Sequence, residues 1–333
     1  MAHSDLDADP QRMYELLVQQ VTGEAEGVVS IRLIDTNGSE LPAWAPGAHL
    51  DLILPSGKVR QYSLCGDPGD RAAYTVAVLR EEHGRGGSRE LHDSALVGRT
   101  MSVRGPRNHF PLVDAPSYLF VAGGIGITPM LAMVREVRRR GVPWRLVYGG
   151  RSRSSMAFLD ELDRIGGGNV DVVPQDSHGM LDLDAALAAV PGDCVIYCCG
   201  PEGLIRATEE RVDSRFAPDA LHVERFGASS SSQCSETPAP AESAGTGFEV
   251  ELRRTGAVLD VPPERTLLDV VRDSVPDFLS DCEEGFCGAC EVRVLEGEPE
   301  HHDLLLSDRE RACGDRMMIC VGRSRSPRLV LDL

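Results

Sequence analysis

The chain has 333 residues, 42% of them hydrophobic and 26% charged, which is the make-up of a soluble globular protein long enough for two or three domains with separate cores. A formal net charge of −18 and a pI near 4.9 exclude a nucleic-acid-binding face, which needs clustered positive charge, and suit a carrier that meets a basic partner. The chain's start lacks a basic, apolar leader and no window approaches eighteen apolar residues, so the expectation is a cytoplasmic protein with no membrane span and ten reduced cysteines.

Residues 1–13 are acidic and patternless, and are expected to be disordered. From residue 14 to 113, short runs rich in Val, Ile, Leu and Tyr alternate with Gly, Pro and Asp turns: Glu15–Val21, Val28–Asp35, His49–Leu54, Gln61–Leu64, Tyr74–Leu79 and Thr100–Arg104. That cadence predicts an antiparallel β-barrel of about six strands with one short helix, Glu90–Leu96. Residues 117–227 change texture. Apolar strands (Tyr118–Ala122, Trp144–Tyr148, Val170–Val173, Cys194–Cys198, Ala220–Phe226) alternate with helices (Met130–Arg140, Met156–Arg164, Leu183–Val190, Pro201–Arg211). This alternation predicts an α/β domain with an open parallel sheet, whose ligands sit at the carboxyl ends of its strands. Residues 228–246 are small, polar and proline-containing, the composition of a linker. A last domain, 247–333, reads as a hairpin (Phe248–Arg253, Ala257–Val261), a helix (Leu267–Ser274), a cysteine-rich loop, a strand (Glu291–Leu295), a helical turn near Ser307–Arg311 and closing strands at Ile319–Val321 and Arg328–Leu331.

The chemistry concentrates in a few stretches. Cys282, Cys287 and Cys290 follow the spacing C-x4-C-x2-C, and Cys320 stands thirty residues further on, which is the ligand spacing of plant-type two-iron, two-sulfur ferredoxins. A zinc knot or ordinary buried thiols are the alternatives, and zinc sites favour paired Cys knuckles, of which there is one. Arg60-Gln61-Tyr62-Ser63 ends a barrel strand with a cation, an amide, a phenol and a hydroxyl; alone it also reads as an exposed strand end. Gly84-Arg85-Gly86-Gly87-Ser88 offers open backbone N–H groups beside a hydroxyl and a guanidinium, a phosphate cradle or a plain loop. Gly123–Pro129 is a strand-to-helix turn that departs from G-x-G-x-x-G, since Thr128-Pro129 occupies the place of its last glycine. Cys199-Gly200-Pro201 marks a second such turn, and Phe226 closes the sheet. Arg151 and Arg153 read as contacts for an adenosine phosphate or as solvated charges, and His301-His302 as solvated. No G-x-S-x-G, H-E-x-x-H or glycine loop ending in Lys-Ser/Thr is present, so hydrolytic and nucleoside-triphosphate chemistry lack their usual apparatus.

A barrel with Arg-x-Tyr-Ser, a sheet with Gly-Gly-x-Gly-x-Thr-Pro and Cys-Gly-Pro, and a carboxy-terminal cysteine loop together resemble the phthalate dioxygenase reductase and vanillate O-demethylase reductase family, over about residues 14–333. The resemblance implies an FMN-binding β-barrel, an NAD-binding α/β domain and an α+β ferredoxin domain of β-grasp type. It assigns Arg60, Gln61, Tyr62 and Ser63 to the flavin, with Ala77, Val78 and Leu79 passing beneath it and Gly86, Gly87 and Ser88 holding its phosphate. Thr128 would face the flavin–nicotinamide junction, Cys199 would lie near the hydride-donating carbon, and Phe226 would cover the ring until NADH displaces it. Ser63, Thr128 and Cys199 are thus the catalytic candidates. Cys282, Cys287, Cys290 and Cys320 would hold the 2Fe-2S cluster, with no role for Cys313. His109 stands where Asn is expected, and Leu79 where Lys is common. The implied activity is an NADH-dependent reductase of a terminal oxygenase component, either a Rieske oxygenase or a haem-thiolate monooxygenase, working as a monomer. The reading from a different class is a non-enzymatic redox sensor or passive electron carrier.

Overall fold

The computed structural model describes residues 12–82, 84–166, 168–212, 215–217, 219–226, 247–276, 278–280, 283, 285, 288–303, 305–306 and 308–333. Residues 1–11 of the N-terminal stretch and the linker read above, together with Cys282 and Cys287, lie outside the described residues, while Met13, expected to be disordered, already pairs with Arg104 as the first residue of a strand. The chain forms two compact units, residues 1–230 and 231–333.

The first unit opens with six strands, β1 (Met13–Ala25), β2 (Val28–Asp35), β3 (Ala48–Ile53), β4 (Val59–Ser63), β5 (Ala73–Leu79) and β6 (Thr100–Asn108), in the order β4-β3-β6-β1-β2-β5, every pair antiparallel. A bridge between Leu64 and Val76 joins the two edges and closes the barrel. Strand alternation decides what fills it. Leu50 and Leu52 of β3, Leu16 and Val18 of β1 and Val76 and Val78 of β5 form one buried cluster, while the intervening residues face outward. Helix α1 (Gly87–Asp93) starts three residues before its predicted position, because Gly86 adopts the left-handed conformation that ends the loop.

Next comes the parallel sheet of β7 (Tyr118–Gly123), β8 (Trp144–Gly150), β9 (Val170–Pro174), β10 (Val195–Cys199) and β11 (Leu221–Glu224), ordered β11-β10-β7-β8-β9. Helices α2 (Ile127–Arg140), α3 (Leu159–Gly166), α4 (Gln175–His178), α5 (Leu183–Ala188) and α6 (Glu202–Glu209) connect them. Helix α2 takes in Thr128-Pro129, because a proline in the first turn forfeits only an N–H that has no helical partner anyway. Its Met130, Leu131, Met133, Val134 and Val137 are fully buried, each worth about 1.5–3 kcal/mol relative to exposure. That core runs on into Val28, Cys65 and Ala77 of the barrel, so barrel and sheet share apolar packing.

In the second unit a mixed sheet orders β12 (Phe248–Leu252), β13 (Ala257–Val261), β14 (Glu291–Glu296), β16 (Arg316–Met318) and β18 (Arg328–Leu331) as β13-β12-β18-β14-β16, with β15 (Pro299–Glu300) paired to β17 (Arg323–Ser324). The pair β12–β18 is parallel and its other neighbours are antiparallel, the β-grasp arrangement over helix α7 (Leu267–Ser274), with α8 (Asp308–Cys313) ahead of β16. The strand predicted at Ile319–Val321 is instead β16, one step earlier. Residues from Ile319 onward form a turn, with Val321 N and Gly322 N both donating to Met318 O. The small pair β15–β17 and helix α4 were not foreseen; each is too short for a periodic pattern to register.

Candidate functional site

At the end of β4 the loop before α1 folds back on Arg60. A β-carbon at Gly87 would lie 2.6 Å from Arg60 Cγ and 2.7 Å from its Nε, so only glycine lets the loop backbone lie against the guanidinium. Arg60 Nη2 donates to Arg85 O (3.2 Å), and Lys58 Nζ and Arg89 Nη2 both stand within 4 Å of where a side chain on Gly86 would begin. Ser88 Oγ accepts from Glu81 N (3.0 Å). Three cations, Lys58, Arg60 and Arg89, thus gather around the Gly86-Gly87-Ser88 backbone, a setting whose chemistry fits a phosphate monoester.

Further along β4, register with β3 sets the faces. Leu50 opposes Tyr62 and Leu52 opposes Arg60, so these two side chains share the barrel-interior side, while Gln61 and Ser63 project from the outer face. Of the β5 residues, Ala77 belongs to the core shared with the sheet and Leu79 packs against it, but Val78 points into the barrel and offers a ligand only its backbone. Ser63, 5% exposed, donates from Oγ to Glu224 Oε2 (3.4 Å) across 161 residues of sequence. Glu224 ends β11 in register with Cys199 at the end of β10. Burial pushes the Glu224 carboxyl up to about 8, with the Ser63 hydrogen bond opposing in part. Burial likewise drives the Cys199 thiol well above its ordinary range, and the Glu224 charge adds to this, so Cys199 is a protonated, packed thiol and not a nucleophile. Thr128 is buried, and its hydroxyl is engaged with Ile125 O (3.0 Å) in the turn.

Glu224 is the residue that sequence reading passed over. It lies inside the run His222-Val-Glu-Arg-Phe226, two residues before the aromatic that closes the sheet. An acidic side chain at the carboxyl end of a strand of a parallel sheet, where ligands bind, was the available signal.

The ends of β7, β8 and β10 border a cleft of about 690 Å³, whose lining includes Leu79, Pro201, Phe226, Arg151, Gln175 and Met180. Phe226 is 41% exposed in it. Arg151 lines the cleft while Arg153 does not, which separates two arginines that looked equivalent in sequence.

In the second unit, Cys290 and Cys320 are both buried and are brought together by Ile319 N donating to Cys290 O (3.4 Å). Gly285 has φ +79°, and a β-carbon there would fall 2.7 Å from Val321 Cγ2 and 3.0 Å from Asp303 Cα, so the loop passes through a space that admits only glycine. Buried thiols and a loop held tight against the turn bearing Cys320 fit a thiolate-bound cluster. Cys313 is exposed and free. His301 departs from its expected solvated state. Its side chain is 8% exposed beside buried Asp303 (Nδ1 to Oδ2 3.7 Å), and burial lowers its pKa. The neighbouring His302 stays half-exposed.

Comparison with known proteins agrees with this architecture. Residues 250–324 match the 2Fe-2S iron-sulfur cluster binding domain, and residues 120–210 match the oxidoreductase NAD-binding domain. The chain is 41% identical over 313 residues to phenoxybenzoate dioxygenase subunit beta of Ectopseudomonas oleovorans, covering 93% of this chain and 95% of that protein. It is 37% identical to phthalate dioxygenase reductase of Burkholderia cepacia, covering 93% and 94%. Among solved structures, phthalate dioxygenase reductase, described as a modular structure for electron transfer from pyridine nucleotides to [2Fe-2S], matches with TM-score 0.65 and 36% identity over 96% of this chain and 98% of its own. A type IV self-sufficient cytochrome P450 monooxygenase matches with TM-score 0.84 and 44% identity over 96% of this chain, which spans about two fifths (41%) of that protein. Among the described residues no helix is long and apolar enough to cross a membrane. With curated relatives matching over nearly their whole length, the chain belongs to the phthalate dioxygenase reductase family, NADH-dependent oxidoreductases that pass electrons through a 2Fe-2S domain to the terminal component of an oxygenase.

Proposed function

We propose that this protein is a cytoplasmic, monomeric reductase in which FMN lies between the Lys58–Arg60–Gly87 cradle and the Ser63–Glu224 edge, with the nicotinamide entering the cleft at Phe226. Bound FMN supplies the conversion of a hydride into single electrons, and the 2Fe-2S cluster supplies the one-electron outlet. Arg60, Gly86, Gly87 and Ser88 hold the phosphate, and Tyr62, Ser63, Gln61 and the backbone of Ala77, Val78 and Leu79 orient the ring. Glu224, held protonated near neutrality, keeps Ser63 aimed at the ring edge and avoids placing a buried negative charge beside an incoming hydride. Cys199 and Thr128 act as packing that shapes the nicotinamide end and excludes water. Phe226 serves as the displaceable cover. Cys282, Cys287, Cys290 and Cys320 hold the cluster.

The observation that carries this reading is the meeting of Ser63, Cys199 and Glu224 beside a cleft at the carboxyl ends of a parallel sheet. Cys290→Ala tests the electron order. NADH should still reduce a dye that draws directly on the flavin, while cytochrome c reduction falls by at least a hundredfold. Loss of both in a folded, FMN-replete variant contradicts the order. A sensor or passive carrier would instead show iron–sulfur colour that NADH fails to bleach. For the acceptor, a haem-thiolate monooxygenase is the reading favoured by 44% identity to the cytochrome P450 monooxygenase, against 41% to the phenoxybenzoate dioxygenase subunit; a Rieske oxygenase is the other. Turnover with purified partners of each class decides between them.

A further inference from the structure

On the outer face of the barrel, His49 of β3 stands directly across from Ser63 of β4, so the two side chains project to the same side. On its other flank His49 is in register with Arg107 of β6. Its ring is 2% exposed, and neither Nδ1 nor Nε2 has a hydrogen-bond partner. A neutral imidazole carries one N–H and one lone pair, and buried polar groups of this kind are nearly always satisfied.

The neighbourhood does not supply that partner. Arg104 and Arg107 reach Asp51, through Arg104 Nε to Oδ2 (2.8 Å) and Arg107 Nη2 to Oδ1 (2.7 Å), and because guanidinium groups only donate, even the unbonded Arg107 Nε offers an imidazole N–H nothing to bond. The His109 ring meets His49 edge-on, with centroids 5.2 Å apart at 65°, which is a packing contact. Burial first, then His109, Arg107 and Arg104, keep the His49 pKa well below its ordinary value, so the ring is uncharged. An uncharged donor on the Ser63 face, buried and unsatisfied, requires an acceptor that none of the described residues provides.

We propose that His49 is a further contact of the bound flavin, its ring N–H donating to a polar atom on the rim of the isoalloxazine beside Ser63, with His109 packed against it to fix the imidazole's tilt. This rests on the FMN reading above. The role is one of positioning and electronic tuning, since a hydrogen bond to the ring's rim stabilises added electron density there.

The test uses the full chain, stripped of flavin and titrated with FMN. If the wild-type protein takes up no FMN, the flavin reading itself fails. If it binds FMN, His49→Leu should weaken binding at least tenfold and shift the midpoint potential of the bound flavin, and either His49→Asn or His49→Gln, which put an amide N–H near one ring nitrogen or the other, should recover most of both. Wild-type affinity and potential in His49→Leu would overturn the proposal while leaving the FMN reading intact. Should His49→Leu fail to fold, nitrogen-15 histidine spectra of the wild-type protein decide. A His49 ring signal, assigned by its loss in His49→Asn, that moves on adding FMN supports the contact, and one that stays put rules it out.

Discussion

Cys282, Cys287 and Cys290 lie within nine residues of one another in sequence, and the turn bearing Cys320 is held to Cys290 by the Ile319 N–H that reaches Cys290 O. The larger unit works differently. Ser63, Cys199 and Glu224 come from the barrel and from two strands of the parallel sheet, and the Ser63–Glu224 hydrogen bond closes a separation of 161 residues. A metal cluster needs thiolates at fixed short range, so one loop with tight backbone turns supplies most of it. An edge at which hydride transfer occurs needs groups approaching from opposite sides of a slot, and only the ends of two sheets provide that. The first kind of site should fail abruptly when its loop is disturbed, and the second should lose rate by degrees.

The sharpest way to break this contrast is Gly285→Ala. A methyl group there collides with Val321 and with the Asp303 backbone, in a left-handed conformation that alanine resists, so at least tenfold less iron and sulfide per chain is expected. FMN content and dye reduction should be unchanged. Iron analysis beside the flavin spectrum checks it, and a variant with full cluster occupancy would refute the abrupt-failure half of the comparison.

Next in size is Glu224→Ala, for which about a hundredfold slower flavin reduction by NADH is expected in stopped flow, the loss that misplacing a positioning group such as Ser63 can cause. Glu224→Gln should stay near the wild-type rate at pH 7, and should lack the fall expected of the native protein as pH rises through about 8. Stability carries the same signature. Because the native carboxyl binds its proton more tightly than the unfolded one, the native state is progressively disfavoured as pH rises from about 4.5 to about 8. Glu224→Gln should therefore gain Tm over the native protein most at pH 8 and above and least near pH 4. An unchanged Tm difference across that range would mean that Glu224 titrates normally.

The smallest effect belongs to the surface. Residues 247–333 hold nineteen Asp and Glu against eleven Arg, a balance of −8, but many of these charges already pair on the domain itself, as in Arg265–Asp273 (2.7 Å) and Arg254–Asp332 (2.9 Å). Electron delivery to a basic partner should slow a few-fold as ionic strength rises beyond about 0.1 M, where screening acts over about 10 Å. A salt-independent rate with the true partner would remove steering from the account.

The same division explains what could be read without coordinates. The C-x4-C-x2-C spacing can be read because it is local in sequence, and the barrel-then-sheet order follows from the switch between short turn-bounded runs and strand–helix alternation. Arg60, Tyr62 and the glycines 86 and 87 are legible for a similar reason, since strand alternation and a glycine loop are one-dimensional signals. Glu224 and His49 carry no such mark: one is an acid two residues before Phe226, the other a single histidine in a strand. His301, beside His302, gave no sign that one ring would be buried against Asp303 and the other left in water.

By itself the amino-acid order determined the succession of barrel, parallel sheet and cysteine-bearing domain, because backbone periodicity and turn residues act over a few positions. It also carried the cysteine spacing on which the proposed cluster ligands rest, a signal of the same short range. Only the tertiary structure decided that Val78 turns away into the barrel, that Cys199 is a buried and protonated thiol, and that Ser63 meets Glu224 with His49 on the same face. Those outcomes depend on which strand ends the closed barrel and the shared apolar core bring within a few ångströms, and contacts across more than a hundred residues leave no local pattern to read.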